Sequence, residues 1–477
     1  MTDRLSAPGP AEMAAAAPTD WVTQSLLAGP GTEVCLRLGR PVTRAELRGM
    51  VARCRDRLAA AGLGPGGTAT LALPPSLAYV ATLLAGWQLG GQISLLDHRL
   101  TKHETDRALD RLAPQVLVAA EQVTAAPLAG YAQAETSVTA RAGGQRARTP
   151  HALIQLSSGS TGPSKVIART AGNLLTELGR YRQFTEYPQR GERIVLLASI
   201  VHVLGLVGGL LHSLHAGVEL VFPDRVTADG IKAAIAAGSE PAMVLGVPFH
   251  AELLCAAAGG EPLPQLRRMV VAGELTRPGV PEKFTSGYGV PLGSMYGMTE
   301  LGVIATDLSG RHRPALAPAP GMTLRIEDGE LQVAMAASPY IGLTDPTRWS
   351  DGWLHTRDAA SIDPATGLVT IAGRLDSQVS VGGLKVDLTE VEQTLCEIPG
   401  VSAAVVLFDE MILAYLVLAD GRSLAPVEAA LASQLAAFKR PRHLHPLPEL
   451  PRTATGKVLR DKAALREFAA KHGVVPS

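Results

Sequence analysis

Apolar positions along this chain fall into short blocks separated by polar and glycine-rich stretches, and the blocks alternate in kind. Residues 43–61 read as a helix stopped by GLGPGG at 62–67, TATLALP follows as a strand, and a second helix lies near 76–89. Further strands are predicted at 115–119, 153–156, 194–198, 218–222, 242–246 and 268–272, with helical stretches between them. Such alternation predicts parallel sheets flanked by helices. Short β segments cluster over 323–373, and a change of composition then leads into a βαβ-like tail. The block at 194–211, IVLLASIVHVLGLVGGLL, is uncharged and 18 residues long, the lower edge of a membrane span. His202 sits inside it, three glycines interrupt it and no aromatic belt flanks it, so it reads as a buried strand passing into a buried helix.

Length and charge change this picture only in part. The 477 residues exceed the ~250–300 at which a single core stops growing, so at least two domains are expected. A formal net charge of zero gives no field for nucleic acid or an anionic membrane, and no nucleic-acid partner is expected. Cys35, Cys54, Cys255 and Cys396 are scattered, without CxxC pairs or metal spacing, which fits free thiols in a reducing cytoplasm. Residues 1–20 lack a basic start and an apolar core and read as a loose tail, with the folded core from about residue 40.

The glycine signals separate by mechanism. GLGPGG matches GxGxxG formally, yet it follows a helix and precedes a strand, the reverse of a dinucleotide fingerprint, so it is a helix stop and turn. LIQLSSGSTGPSKVIART, 153–170, is different. A strand runs into Ser157, Ser158, Gly159, Ser160, Thr161 and Gly162, and Lys165 closes the loop. The spacing is GxxGxxK, which excludes a Walker A motif, but small residues, hydroxyls and a cation are the parts of an oxyanion cradle.

Downstream stand SMYGMTE (294–300), DGWLHTRDAA (351–360), GRLDSQVSVGGLKV (373–386) and PRTATGKVLR (451–460). In this order and at these distances the five motifs resemble those of the adenylate-forming superfamily over roughly residues 40–465. The resemblance implies a large N-terminal domain of parallel sheets flanked by helices plus a small β-barrel-like part, residues 1–375. It also implies a small hinged C-terminal α+β lid, residues 376–477, pivoting at Asp376. It makes 157–165 the ATP phosphate loop. Here Ser164-Lys165-Val166 replaces the family's Pro-Lys-Gly. Ala272, Gly273 and Glu274 would lie along the adenine, Tyr296 with Gly297 would stack on it, Thr299 would face the α-phosphate and Glu300 would hold Mg²⁺. Asp358 would take both ribose hydroxyls and Arg374 the ribose and phosphate side. Arg357 stands where the family often has glycine. Lys457 would reach the carboxylate and α-phosphate, and Gly382 and Gly383 would border the path of a pantetheine thiol.

The activity so implied is activation of a carboxylic acid to acyl-AMP, followed by transfer to CoA. Delivery to the phosphopantetheine of a carrier protein is the alternative, and a silent nucleotide-binding protein is disfavoured because Lys165, Glu300, Asp358, Arg374 and Lys457 are all present. Amino-acid-activating relatives carry an acidic residue in the stretch matching ASIVHVLGL. Here Ile200, Val201 and His202 stand there, which disfavours α-amino acids. His202, Val203, Leu206, Val247 and Met295 are candidate pocket walls, and Gly205, Gly208 and Gly209 are expected to open space for the acyl group.

Overall fold

The computed structural model describes residues 20–157, 165–259, 262–375, 377–419, 423–451, 458–460 and 462–473. Ser158, Gly159, Ser160, Thr161, Gly162, Asp376, Lys457 and all but the last residue of the expected tail lie outside them. By packing, the chain divides into two units, Met1–His98 with Leu112–Leu156 and Val166–Leu375, and Arg99–Arg111 with Ser157–Lys165 and Asp376–Ser477.

In the first unit, helix Arg44–Ala60 begins where the Thr43 side chain accepts from the Glu46 amide. Ser76 caps helix Leu77–Gln88 in the same way, through Tyr79. Each cap satisfies one of the amides that a helix start leaves without a partner. The predicted turn at 62–67 joins the first helix to strand Thr68–Ala72, which pairs in parallel with Gln92–Leu95 and Val116–Thr124. Leu153–Ser157 lies parallel beside Gln92–Leu95. The seven-stranded sheet is completed by Gln133–Ala140 at one edge and by Lys165–Arg169 and Tyr340–Ile341 at the other.

The second sheet has nine strands. Arg193–Leu196, Ala242–Gly246, Leu266–Ala272 and Leu292–Met298 run parallel in that order, with Glu219–Phe222 and Val34–Leu38 parallel on the far side of Arg193–Leu196. Their apolar faces are buried under helices on both sides, as parallel sheets require. The part expected to be barrel-like is a five-stranded antiparallel sheet of Leu324–Glu327, Glu330–Ala334, Trp353–Ile362, Trp349–Ser350 and Val369–Arg374.

One expectation is corrected. Among the described residues the core already includes Trp21, well ahead of the expected residue 40: Trp21, Val22, Leu26 and Leu27 are all buried. Arg44 secures this segment, its buried guanidinium donating to the Leu26 carbonyl at 3.0 Å and the Leu214 carbonyl at 2.8 Å. A short helical turn after an alanine- and proline-rich stretch has too little periodicity to be read from sequence. The 194–211 run resolves into strand Arg193–Leu196, a loop and a π-helical turn Leu204–Leu211 that continues as α-helix to Ala216. Gly217, at φ +76°, ends it. Among the described residues no helix is long and apolar enough to cross a membrane.

In the second unit, strands Gln378–Val381 and Leu384–Asp387 form a hairpin across Gly382 and Gly383, at φ +56° and +80°. Positive φ at both central positions is what a tight two-residue hairpin turn demands. A sheet of Val401–Asp409, Met411–Leu418 and His443–Pro446 follows. Its strands alternate sides: Ala404, Val406, Ile412, Ala414 and Leu416 face helices Leu388–Glu397 and Leu424–Gln434, whereas Val405 and Tyr415 face helix Lys462–Lys471. Arg460 forks onto Glu392 at 2.6 and 2.8 Å, and the Leu459 amide donates to the Pro451 carbonyl at 2.8 Å.

Candidate active site

In the first unit, the C-terminal ends of the parallel strands carry most of the expected site, where open α/β sheets bind ligands. Strand Leu266–Ala272 ends at Ala272, and Gly273, at φ +95°, turns the chain so that Glu274 follows in a bend. The neighbouring strand Leu292–Met298 carries Met295, Tyr296 and Gly297. Gly297 allows a close approach of the returning strand Gly302–Asp307, since a Cβ there would lie 2.4 Å from the Gly302 carbonyl. Thr299 and Glu300 occupy the turn between these strands.

That turn is braced from below. Glu177, fully buried, accepts from the Val303 amide at 3.1 Å and pairs with Arg169 at 2.6 Å. Its carboxyl lies directly under Gly302, where an added Cβ would approach within 2.1 Å.

Two tyrosines that the sequence reading did not assign to these roles tie the site together. Tyr296 donates its hydroxyl to Asp358 Oδ2 at 2.6 Å, so the ring expected on adenine is held by the carboxylate expected on the ribose. Burial, and then the Asp358 charge, push the Tyr296 hydroxyl far above its ordinary pKa, so it stays a donor. Tyr340, absent from the sequence expectations, donates to Glu300 Oε1 at 2.9 Å. Burial and Glu300 raise its hydroxyl likewise. Tyr340 sits opposite Ile167 in the seven-stranded sheet, so a backbone ladder holds the tyrosine that meets Glu300. The only local signal was an aromatic residue in the proline- and glycine-flanked SPYIG.

Asp358 and Arg374 face each other across the antiparallel pair Trp353–Ile362 and Val369–Arg374. Arg374 Nη1 donates to Asp358 Oδ1 at 3.2 Å and to the Thr356 carbonyl at 3.1 Å. Both Asp358 oxygens are therefore engaged, one by Tyr296 and one by Arg374. Arg357, the residue before Asp358, has φ +60°, which explains why glycine suits this position. Buried Glu330 holds this strained strand position by accepting from the Arg357 amide at 2.6 Å and facing His355 at 3.3 Å.

The acyl end departs from expectation. Gly205, Gly208 and Gly209 do not open a cavity; their neighbours already fill the space. A Cβ on Gly205 would lie 2.3 Å from the Ser199 carbonyl, on Gly208 2.7 Å from the Tyr181 hydroxyl, and on Gly209 2.9 Å from Leu196. They are small so that the π-helical turn can press onto the loop and onto Tyr181, Tyr187 and Leu196. Leu206, Val247 and Met295 are buried, and Leu206 is fully inside the main core, whereas Val203 and His202 are partly exposed. The 198–206 stretch itself carries no acid, but Asp97 brings a carboxylate to it from another strand end, 3.6 Å from His202.

The second unit holds Ser157, Lys165, Gly382 and Gly383 among the described residues; Lys165 opens strand Lys165–Arg169, and the two glycines form the hairpin turn. Among the described residues no group of three or more His, Cys, Asp or Glu side chains is arranged to hold a metal. Glu300 is nevertheless a fitting ligand for Mg²⁺, which takes one or two carboxylates and completes its shell with phosphate and water.

The strand-end turn carries Glu300 under Tyr340, and Tyr296 and Arg374 converge on Asp358, all in an open α/β fold. Residues 24–337 match the AMP-binding enzyme family and residues 390–457 match its C-terminal domain, so the chain belongs to the AMP-binding enzymes of the adenylate-forming superfamily. It is 28% identical to a feruloyl-CoA synthase from an Amycolatopsis species, over 90% of this chain and 94% of that one. It is 27% identical to an indoleacetate–CoA ligase from Aromatoleum aromaticum, over 95% and 98%. The o-succinylbenzoate CoA synthetase of Bacillus subtilis superposes with a TM-score of 0.79 at 23% identity, covering 94% of this chain and 98% of that one.

Proposed function

We propose that this protein is an AMP-forming acid–thiol ligase that activates an aromatic carboxylic acid with ATP and passes it to CoA. The observation that carries this reading is the Tyr296–Asp358–Arg374 constellation in an AMP-binding enzyme, beside Glu300 held by Tyr340. The aromatic class is taken from the relatives named for ferulate and indoleacetate.

In this reading the substrate carboxylate oxygen attacks the α-phosphorus of ATP, the bond to the β-phosphate oxygen breaks, and pyrophosphate leaves. Two anions must meet, so positive charge is needed at the reacting centre. Lys165 and Lys457 supply it, and Thr299 donates to the α-phosphate. Glu300 would hold Mg²⁺, which neutralises charge on the phosphates when bound. Tyr296 presents its ring to adenine, while Asp358 accepts from the ribose hydroxyls and Arg374 keeps that carboxylate oriented. The CoA sulfur then attacks the acyl carbonyl, the thiol proton is released, and AMP departs with the former carboxylate oxygen. Asp376 is the hinge on which the unit carrying Lys457, Gly382 and Gly383 turns between the two steps.

The test is ATP–pyrophosphate exchange over a panel of aromatic, aliphatic and amino acids, followed by thioester formation with CoA and, separately, with a phosphopantetheinylated carrier protein. Aromatic acids are expected to give the fastest exchange, and CoA the thioester. Fastest exchange with an α-amino acid would overturn the substrate class; thioester on the carrier alone would overturn the acceptor. Lys457→Ala should lower exchange ~10²–10³-fold, as removal of one charge-stabilising donor does, while thiolysis of supplied acyl-AMP survives better.

A further inference from the structure

Asp97 was not among the residues expected at the site, and its surroundings give it a role. Strand Gln92–Leu95 ends two residues before it, beside the parallel strand Leu153–Ser157. From that neighbour Gln155 donates to the Val201 carbonyl at 2.6 Å, and from helix Leu77–Gln88 the Tyr79 hydroxyl donates to the Ile200 carbonyl at 3.0 Å. Two buried side chains thus fix the backbone immediately before His202. The imidazole is then aimed: its Nε2 is enclosed and lies 3.6 Å from Asp97 Oδ2, while 41% of the side chain is exposed. The other Asp97 oxygen lies 3.6 Å from His98 Nδ1, and the Asp97 side chain is only 8% exposed.

We propose that Asp97 is the positioning residue for His202 in the reaction described above, a role that rests on that functional reading. A carboxylate facing Nε2 favours the tautomer with its proton there and leaves the in-plane Nδ1 lone pair as the ring's hydrogen-bond acceptor. At 3.6 Å the contact is an ion-pair distance, and a small ring rotation on substrate binding closes it to a hydrogen bond. Asp97 itself touches no reacting atom. It decides which nitrogen His202 offers to the acid or to the incoming thiol.

Two measurements test this. The ¹⁵N spectrum of histidine-labelled protein, with His202 assigned by its loss in His202→Phe, should show the Nε2–H tautomer; the Nδ1–H tautomer would overturn the proposal. In pyrophosphate exchange, Asp97→Asn should lower kcat/KM for the acid ~10–100-fold, as loss of an orienting partner does, with the KM for ATP within about twofold and the melting temperature unchanged. In a His202→Phe background the same substitution should be nearly silent, and losses that multiply instead would show that Asp97 acts elsewhere. Absence of exchange with every acid in the parent protein would defeat the functional reading, and the tautomer measurement would still decide Asp97.

Discussion

Arg357 shows how a single backbone angle sets a side-chain choice. Its φ of +60° costs a non-glycine residue about 1–2 kcal/mol, while its guanidinium lies 3.9 Å from Glu330, a partly exposed pair worth ~0–1 kcal/mol. Arg357→Gly should therefore leave stability unchanged or raise it by up to about 1 kcal/mol, read as the denaturant midpoint; a clear fall would show that the guanidinium matters more than the strain. Tyr296→Phe probes the neighbouring bond. It keeps the ring but takes one donor from a buried carboxylate, a loss of about 1–3 kcal/mol. If Asp358 holds ribose, the KM for ATP should rise about tenfold or more while the KM for the acid stays put. An equal rise in both would remove the nucleotide from this corner.

At the scale of elements, the strands at 68–72, 153–157, 193–196, 219–222, 242–246 and 266–272 were legible because each is a short apolar block bounded by turn residues. The edge pair Val34–Leu38 and Arg40–Thr43 was not, for Arg40 and Pro41 are exposed and polar or proline-bearing at the rim of the sheet. Motif order made Tyr296, Glu300, Asp358 and Arg374 legible as a group. Tyr340 and Asp97 escaped because each meets its partner from a distant segment, which no local spacing records. The glycines of Leu204–Leu211 misled for a related reason, since the residues that fill their space, Ser199, Tyr181 and Leu196, come from other elements. Gly205→Ala and Gly208→Ala should each destabilise the protein by about 1–3 kcal/mol through overpacking, with Gly205 the worse because its obstacle is backbone. Tyr181→Phe should recover part of the Gly208→Ala loss and none of the Gly205→Ala loss in denaturant unfolding. Recovery of both would mean that the helix shifts as a body.

For the molecule as a whole, two buried histidines set an acid limit. Burial pulls His212 and His250 from 6.5 to about 4. His212 bonds the Pro188 carbonyl at 2.9 Å, and His250 Nδ1 accepts from the Val247 amide at 3.2 Å. Above pH 6.5 both are neutral whether folded or unfolded. Between 6.5 and about 4 only the unfolded chain takes up these protons, so stability falls with pH by at most about 1.4 kcal/mol per pH unit for each group. His212→Phe, which retains the edge contact to Tyr187, should make unfolding free energy less steep between those limits; an unchanged slope would exclude His212 as a contributor. A last consequence concerns shared motion. The backbone is clasped at Pro451 and Leu459, and Arg460 is anchored on Glu392 one residue further on. Any displacement of Pro451 is therefore felt by Leu459, by Arg460 and, through Glu392, by helix Leu388–Glu397. The clasp makes one travelling body of two segments whose joined residues, Arg460 and Glu392, stand 68 positions apart in the chain.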